Sequence, residues 1–122
     1  MVKYFFDSYA FIEIMKDNTK YFVYSYEPVT TSIFNLVEIY NFLLKEKGKA
    51  FAEQIYSRLK KCVIELDDET IKEAIEFRIK NSKRNLSYAD CIGYTYAKKN
   101  NMLFLTGDKE FEKLPNVQFV KC

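Results

Sequence analysis

The stretch LSYADCIGYTYAKKNNMLFLTGDKEF, residues 86–111, decides how the rest of the chain is read. Ser87 and Asp90 have the S-x-x-D spacing of a capping box, which predicts a helix from here to Asn100–Asn101. The helix feeds the apolar run Met102–Leu105, a short strand that breaks at Thr106-Gly107-Asp108. Two carboxylates thereby come close together. Asp90 sits on a helix N-terminus, and Asp108 stands at the carboxyl end of a strand, where open α/β sheets hold their ligands.

The remaining chain supplies the partners of that unit. VKYFF at residues 2–6 suits a buried strand and ends at Asp7-Ser8, after which Phe11, Ile12 and Met15 recur at helical spacing. Residues 17–26 read as a short helix. Pro28 opens a second strand, Val29–Thr31, a position proline tolerates. Ser32 caps a helix to about Glu46 with Ile33, Leu36, Val37, Tyr40 and Leu44 as its stripe, and Gly48 ends it. A partner helix at 49–61 uses Phe51, Ile55 and Leu59. Cys62–Leu66 is a third strand, Asp67 or Asp68 caps a helix with Ile71, Ile75 and Ile79 on one face, and Val117–Val120 is the last strand. Strands alternating with helices predict an α/β fold with right-handed crossovers: a three-layer α/β/α sandwich on a short, mostly parallel, five-stranded sheet, formed by residues 1–122 as a single domain.

Composition narrows the chemistry. With 30% charged and 48% hydrophobic residues the chain reads as soluble and globular, and a net charge of +2 is too small to imply a nucleic-acid partner by itself. No apolar run approaches the roughly 20 residues of a membrane span, and MVKYFF lacks the pattern of a signal peptide, so the cytoplasm is the expected location. Cys62, Cys91 and Cys122 form no C-x-x-C pair. The absence of histidine excludes Ser-His-Asp and Cys-His nucleophile systems and the His-containing zinc sites. Neither phosphate-cradling glycine motif occurs. Carboxylates with a hard metal ion are what remains.

Four acids are candidates, and each has an alternative explanation. Asp7 follows the first strand, where it could cap the next helix, although Ser8 could do the same. Glu38 has Phe34 and Phe42 four residues away and Asn35 and Asn41 three away, so no cation pairs with it along the helix. A carboxylate on such a partly buried face needs a compensating partner. Asp90 belongs to the capping box, and Asp108 could cap a turn at 109–113. Taken together, all four project above one sheet edge, where unrelieved they would repel one another. Oxygen-only ligation suits Mg²⁺ or Mn²⁺, and two such ions roughly 4 Å apart form a clamp for phosphodiester hydrolysis.

The segments YFFDSYAFIE, TTSIFNLVEIYNFL and YADCIGYTYAKKNNMLFLTGDKEFEKLPNVQFV resemble, in order and spacing, the PIN-domain ribonucleases, in particular the VapC-type toxins of toxin–antitoxin pairs. The resemblance implies that Asp7, Glu38, Asp90 and Asp108 surround Mg²⁺ or Mn²⁺, with Thr106 as the hydroxyl beside them and Ser8 in support. It also implies RNA as substrate, products with a 5′-phosphate and a 3′-hydroxyl, a cognate antitoxin and a homodimer. The family often has Asn two places after its first Asp, where this chain has Tyr9. Glu110 is a possible further acid, otherwise an ordinary surface charge. Lys80, Lys83 and Arg84 precede the Asp90 helix, so their loop should border the crevice as candidate RNA phosphate contacts. Two alternatives stay open: a PIN-type nuclease of RNA processing without an antitoxin, and a catalytically silent interaction domain on the same fold. A receiver-like signalling module fits poorly, because Asp7 is followed by Ser8 and not by a second acid.

Overall fold

A computed structural model describes residues 1–121; Cys122 lies outside the described residues. Strands β1 (Tyr4–Phe6), β2 (Leu103–Thr106) and β3 (Val117–Phe119) form a parallel sheet in the order β1-β2-β3. Phe5 pairs with Phe104, and Phe104 with Val117. The start and end of the chain therefore lie side by side, which brings Asp7 and Asp108 to the same edge.

Strand alternation divides the aromatic residues between two faces. Phe5 and Phe104 pack with Ala74, Ile92, Tyr94 and Phe111 on one side. Helices α4 (Asp68–Lys80) and α5 (Tyr88–Lys99) cover that face. Phe6 and Leu105 pack with Ala10 and Tyr21 on the other, under α1 (Ser8–Met15) and a 3-10 segment at Thr19–Tyr26. Helices α2 (Ile33–Lys47) and α3 (Lys49–Lys60) join α1 in a further cluster around Phe11, Leu36, Ile39, Leu43, Ala52 and Leu59. Gly48 adopts φ +87° between α2 and α3, a conformation that favours glycine. Among the described residues no helix is long and apolar enough to cross a membrane.

Five strands were expected, and three form among the described residues. The segment at 29–31 lies beside β1 and the one at 62–66 beside 29–31, but those two meet only at one parallel bridge, Thr31 with Val63. Phe6 N–H donates to the Thr30 carbonyl at 2.8 Å, and Ile64 N–H to the Thr31 carbonyl at 2.9 Å. Pairing cannot extend because Pro28 has no N–H to contribute and Ser32 already caps α2, its hydroxyl accepting from Asn35 N–H at 3.2 Å. On the other segment, Cys62 N–H still bonds the Leu59 carbonyl at the end of α3, and Asp67 caps α4.

Two helix faces also differ from expectation. On α2 the buried row is Asn35, Leu36, Ile39 and Leu43, leaving Val37 62% and Leu44 40% exposed. The sequence offers two overlapping apolar rows, and packing against α1 and α3 selects one. On α4 the small residues Thr70 and Ala74 are buried, which lets the helix approach α5, while Ile79 points outward.

Gly93 sets how closely α5 sits on the sheet. A Cβ there would stand 2.6 Å from the Phe5 ring and 3.0 Å from the Phe104 ring, both fully buried. Gly93→Ala should gain about 1 kcal/mol of helix propensity and lose about 1–3 kcal/mol to overpacking. Chemical denaturation should show a net loss of stability; a net gain would mean that the rings yield freely.

Candidate active site

Asp7, Glu38, Asp90 and Asp108 line one cleft of about 440 Å³, together with Ser8, Tyr9 and Asn41. Each acid arrives by a different local device. Asp7 occupies the N-cap position of α1 but makes no capping bond with its side chain. It is 2% exposed and accepts from Thr106 Oγ1 at 2.7 Å. The Thr106 hydroxyl in turn accepts from Asp108 N–H at 3.1 Å, so the end of β2 connects both strand-end acids.

Glu38 is held by a chain of donors. Ser32 Oγ donates to Asn35 Oδ1 at 2.6 Å, Asn35 Nδ2 donates to Ser8 Oγ at 2.9 Å, and Ser8 Oγ donates to Glu38 Oε1 at 2.5 Å. Asp90 and Asp108 do act as local caps. Ser87 N–H donates to Asp90 Oδ2 at 2.9 Å, and Glu110 N–H donates to Asp108 Oδ1 at 3.0 Å. These backbone bonds engage one oxygen of each carboxylate. The capping and ligand-binding roles are therefore compatible.

Among the described residues no lysine or arginine lines this cleft. The ion pairs among the described residues join Lys16 to Glu13 and Lys99 to Glu69 and Glu73, away from the cleft. Burial pushes the Asp7 carboxyl well above the usual range, and the Asp90, Glu38 and Asp108 charges push it further, against the opposing Thr106 bond. Asp90 is raised to about 6, chiefly by burial and then by Asp108 and Glu38, while its bonds to Ser87 hold it down. Among the described residues no three acidic or cysteine side chains form a ready-made metal cage. The case for a metal rests on the donor set, which is oxygen-only, anionic and partly buried, with no lysine or arginine among the described residues that line it. That set fits a hard divalent ion.

The structure separates the remaining candidates. Arg84 Nη1 donates to the Glu110 carbonyl at 2.7 Å, so its guanidinium braces the turn that follows Asp108. Lys80 and Lys83 are exposed and do not line the cleft. Glu110 contributes its backbone, and its side chain does not line the cleft either.

Asn35 was not among the sequence candidates. It is fully buried and connects Ser32, Ser8 and Glu38. An amide inside an apolar helix row is a readable signal, because a buried amide requires partners. Asn35→Ala would leave the hydroxyls of Ser8 and Ser32 short of partners. It should cost about 2–4 kcal/mol in urea denaturation; a cost below about 1 kcal/mol would show that water replaces the amide readily.

The sequence profile of the PIN domain family matches residues 4–117. A comparison with characterised proteins gave no significant sequence match. Among solved structures, the chain is similar to VapC20 of Mycobacterium tuberculosis, described as a sarcin–ricin loop cleaving toxin, with TM-score 0.76, 20% identity and 98% of each chain covered. It is also similar to a chain of a toxin–antitoxin complex from Klebsiella pneumoniae (TM-score 0.73, 16% identity, 95% of each chain). A third likeness is to PAE2754 from Pyrobaculum aerophilum (TM-score 0.67, 21% identity, 98% of this chain and 91% of that one). At such identities the structures speak to the fold. The family profile runs from β1 into β3 and takes in all the acids of the cleft, and on that match the chain belongs to the PIN domain family.

Proposed function

We propose that this protein is a metal-dependent endoribonuclease and the toxin of a toxin–antitoxin pair. The observation that carries the reading is the cleft itself, where four carboxylates converge and no lysine or arginine among the described residues joins its lining. Asp7, Glu38, Asp90 and Asp108 would hold Mg²⁺ or Mn²⁺. Such an ion supplies a Lewis acid and a water of lowered pKa for in-line hydrolysis of a phosphodiester.

The protein's own groups orient and carry protons. Thr106 fixes the rotamer of Asp7, and the Ser32–Asn35–Ser8 chain fixes that of Glu38. The same carboxylates that position the ion can take a proton from the attacking water. No histidine is needed, and the products carry a 5′-phosphate and a 3′-hydroxyl.

A protein partner is supported by the outer face of α2. There Phe34, Val37 and Leu44 are 41%, 62% and 40% exposed in one row, beside Asn41 of the cleft. An antitoxin or a second copy of the chain would cover it. The complexed state of the similar Klebsiella protein supports the former.

The RNA-contact role of the α4–α5 loop narrows to Lys80 and Lys83, since Arg84 is engaged with Glu110. Lys80→Ala with Lys83→Ala should flatten the log K against log salt slope for single-stranded RNA by up to about 1.4. An unchanged slope returns both to ordinary surface charge. The function itself is tested by incubating the protein with total RNA in Mn²⁺ and in EDTA and mapping new 5′-phosphate ends. Cuts that appear only with Mn²⁺ are expected; no cuts with any divalent ion would overturn the proposal.

A further inference from the structure

A second cavity, of about 610 Å³, opens beside the acid cleft and shares Tyr9 and Asp108 with it. Its other walls include Lys109, Phe119 and Lys121. The volume lies in the range of about 300–1,000 Å³ usual for small-molecule sites. We propose that this cavity, on the ribonuclease reading above, is the subsite for a nucleotide next to the scissile phosphate, its base against Tyr9 and Phe119 and its phosphate on Lys109 and Lys121.

Three observations carry this. Tyr9 and Asp108 line both spaces, so a strand whose phosphate lies among the acids has the second cavity beside it. The walls combine aromatic faces with cations, which is the chemistry that holds single-stranded RNA: bases stack on aromatic rings and phosphates pair with lysine. Lys109 and Lys121 share the lining with two acids, Glu112 and Asp108, of which Asp108 belongs to the proposed metal site.

The aromatic wall is also fixed in place. A Cβ on Gly107 would collide with the Tyr9 ring, the Tyr21 hydroxyl and the Val120 carbonyl. Tyr21 Oη donates to that carbonyl at 2.8 Å, tying the 3-10 segment to the end of β3. Tyr9 thus packs directly on the strand end that carries Asp108, and it is preorganised to receive a base. The subsite then sets a base preference beside the cut.

Binding of fluorescent random-sequence single-stranded RNA across a salt series, with Ca²⁺ present, tests the contacts. Sequencing of the cut sites in Mn²⁺ tests the preference. Lys109→Ala with Lys121→Ala should flatten the salt slope by about 1.4, while the same change at Lys45 and Lys47 leaves it unaltered. Tyr9→Leu and Phe119→Leu should each weaken binding about fivefold or more and relax the base preference beside the cut; Tyr9→Phe, which keeps the ring, should retain both. Lysine variants that flatten the slope while the aromatic variants keep affinity and cut-site preference would overturn the stacking role. Variants that all bind and cut as wild type, at matched melting temperatures, would overturn the subsite alone. Wild-type protein that cuts no RNA with any divalent ion would overturn the ribonuclease reading and this inference with it.

Discussion

Asp7→Asn and Asp90→Asn are each expected to lower RNA cleavage at saturating Mn²⁺ by at least about 100-fold, because each removes an anionic metal oxygen. Both substitutions keep the local fold. An asparagine at position 7 still accepts from Thr106, and one at position 90 still accepts from Ser87 N–H, as the parent side chains do. Asparagine also caps helices about as well as aspartate, so the melting temperature should not explain a lost activity. The measurement is single-turnover cleavage of one mapped RNA site, with wild type and variants purified identically. Near-full turnover in either variant would remove that residue from the metal site.

The metal-free protein should lose stability as pH rises from about 5 to about 7, and Mn²⁺ should restore it. Asp7 and Asp90 both have folded pKa values above their unfolded ones. Acids shifted in that direction favour the folded state when protonated. Their contribution is fully present below the unfolded value, near pH 4, and is lost as pH climbs through about 6 for Asp90, with Asp7 shifted in the same direction. For Asp90 a rise of about two units corresponds to about 3 kcal/mol. Mn²⁺ at 100 times its Kd should add about 2.7 kcal/mol, or about 10 °C in Tm for a domain of this length. Asp108→Asn should raise the metal-free Tm at about pH 7 or leave it unchanged, and should shrink the Mn²⁺ shift. If Asp108 were only the cap of the turn after β2, wild type and variant would show equal metal shifts in melting curves.

Local signals carried much of this structure. Ser32, Asp67 and Ser87 stand at helix starts in the sequence, and their side chains accept from Asn35, Thr70 and Asp90 N–H at 3.2, 2.7 and 3.0 Å. The helix-to-strand passage at residues 86–106 was legible because the capping box, the turn at Asn100–Asn101 and the apolar run agree. Asp7, Asp90 and Asp108 could be named as candidates because strand ends and helix starts have fixed directions in an α/β sheet, and Glu38 because no cation stands at pairing distance along its helix. What could not be read depends on tertiary contact. The edge of the sheet shrank to one Thr31–Val63 bridge because the neighbouring caps claim the same residues. The buried row of α2 was chosen by its neighbours from two that the sequence permits. Asn35 joins residues 8, 32 and 38 only once β1, α1 and α2 are packed together. It brings a side-chain amide from α2 to Ser8, beside the first acid.

The central claim, that the four carboxylates form one divalent-metal site, is tested most directly by calorimetric titration of Mn²⁺ into wild type, Asp7→Asn and Asp108→Asn. The titrations should be run near pH 6 in two buffers of different ionisation enthalpy. Asp90 is raised to about 6 and Asp7 well above its usual value, so metal binding to wild type should be saturable and should release protons. Both variants should bind at least about tenfold more weakly, and Asp7→Asn should release fewer protons. Equal affinity in all three proteins, or no saturable binding to wild type, would contradict the account.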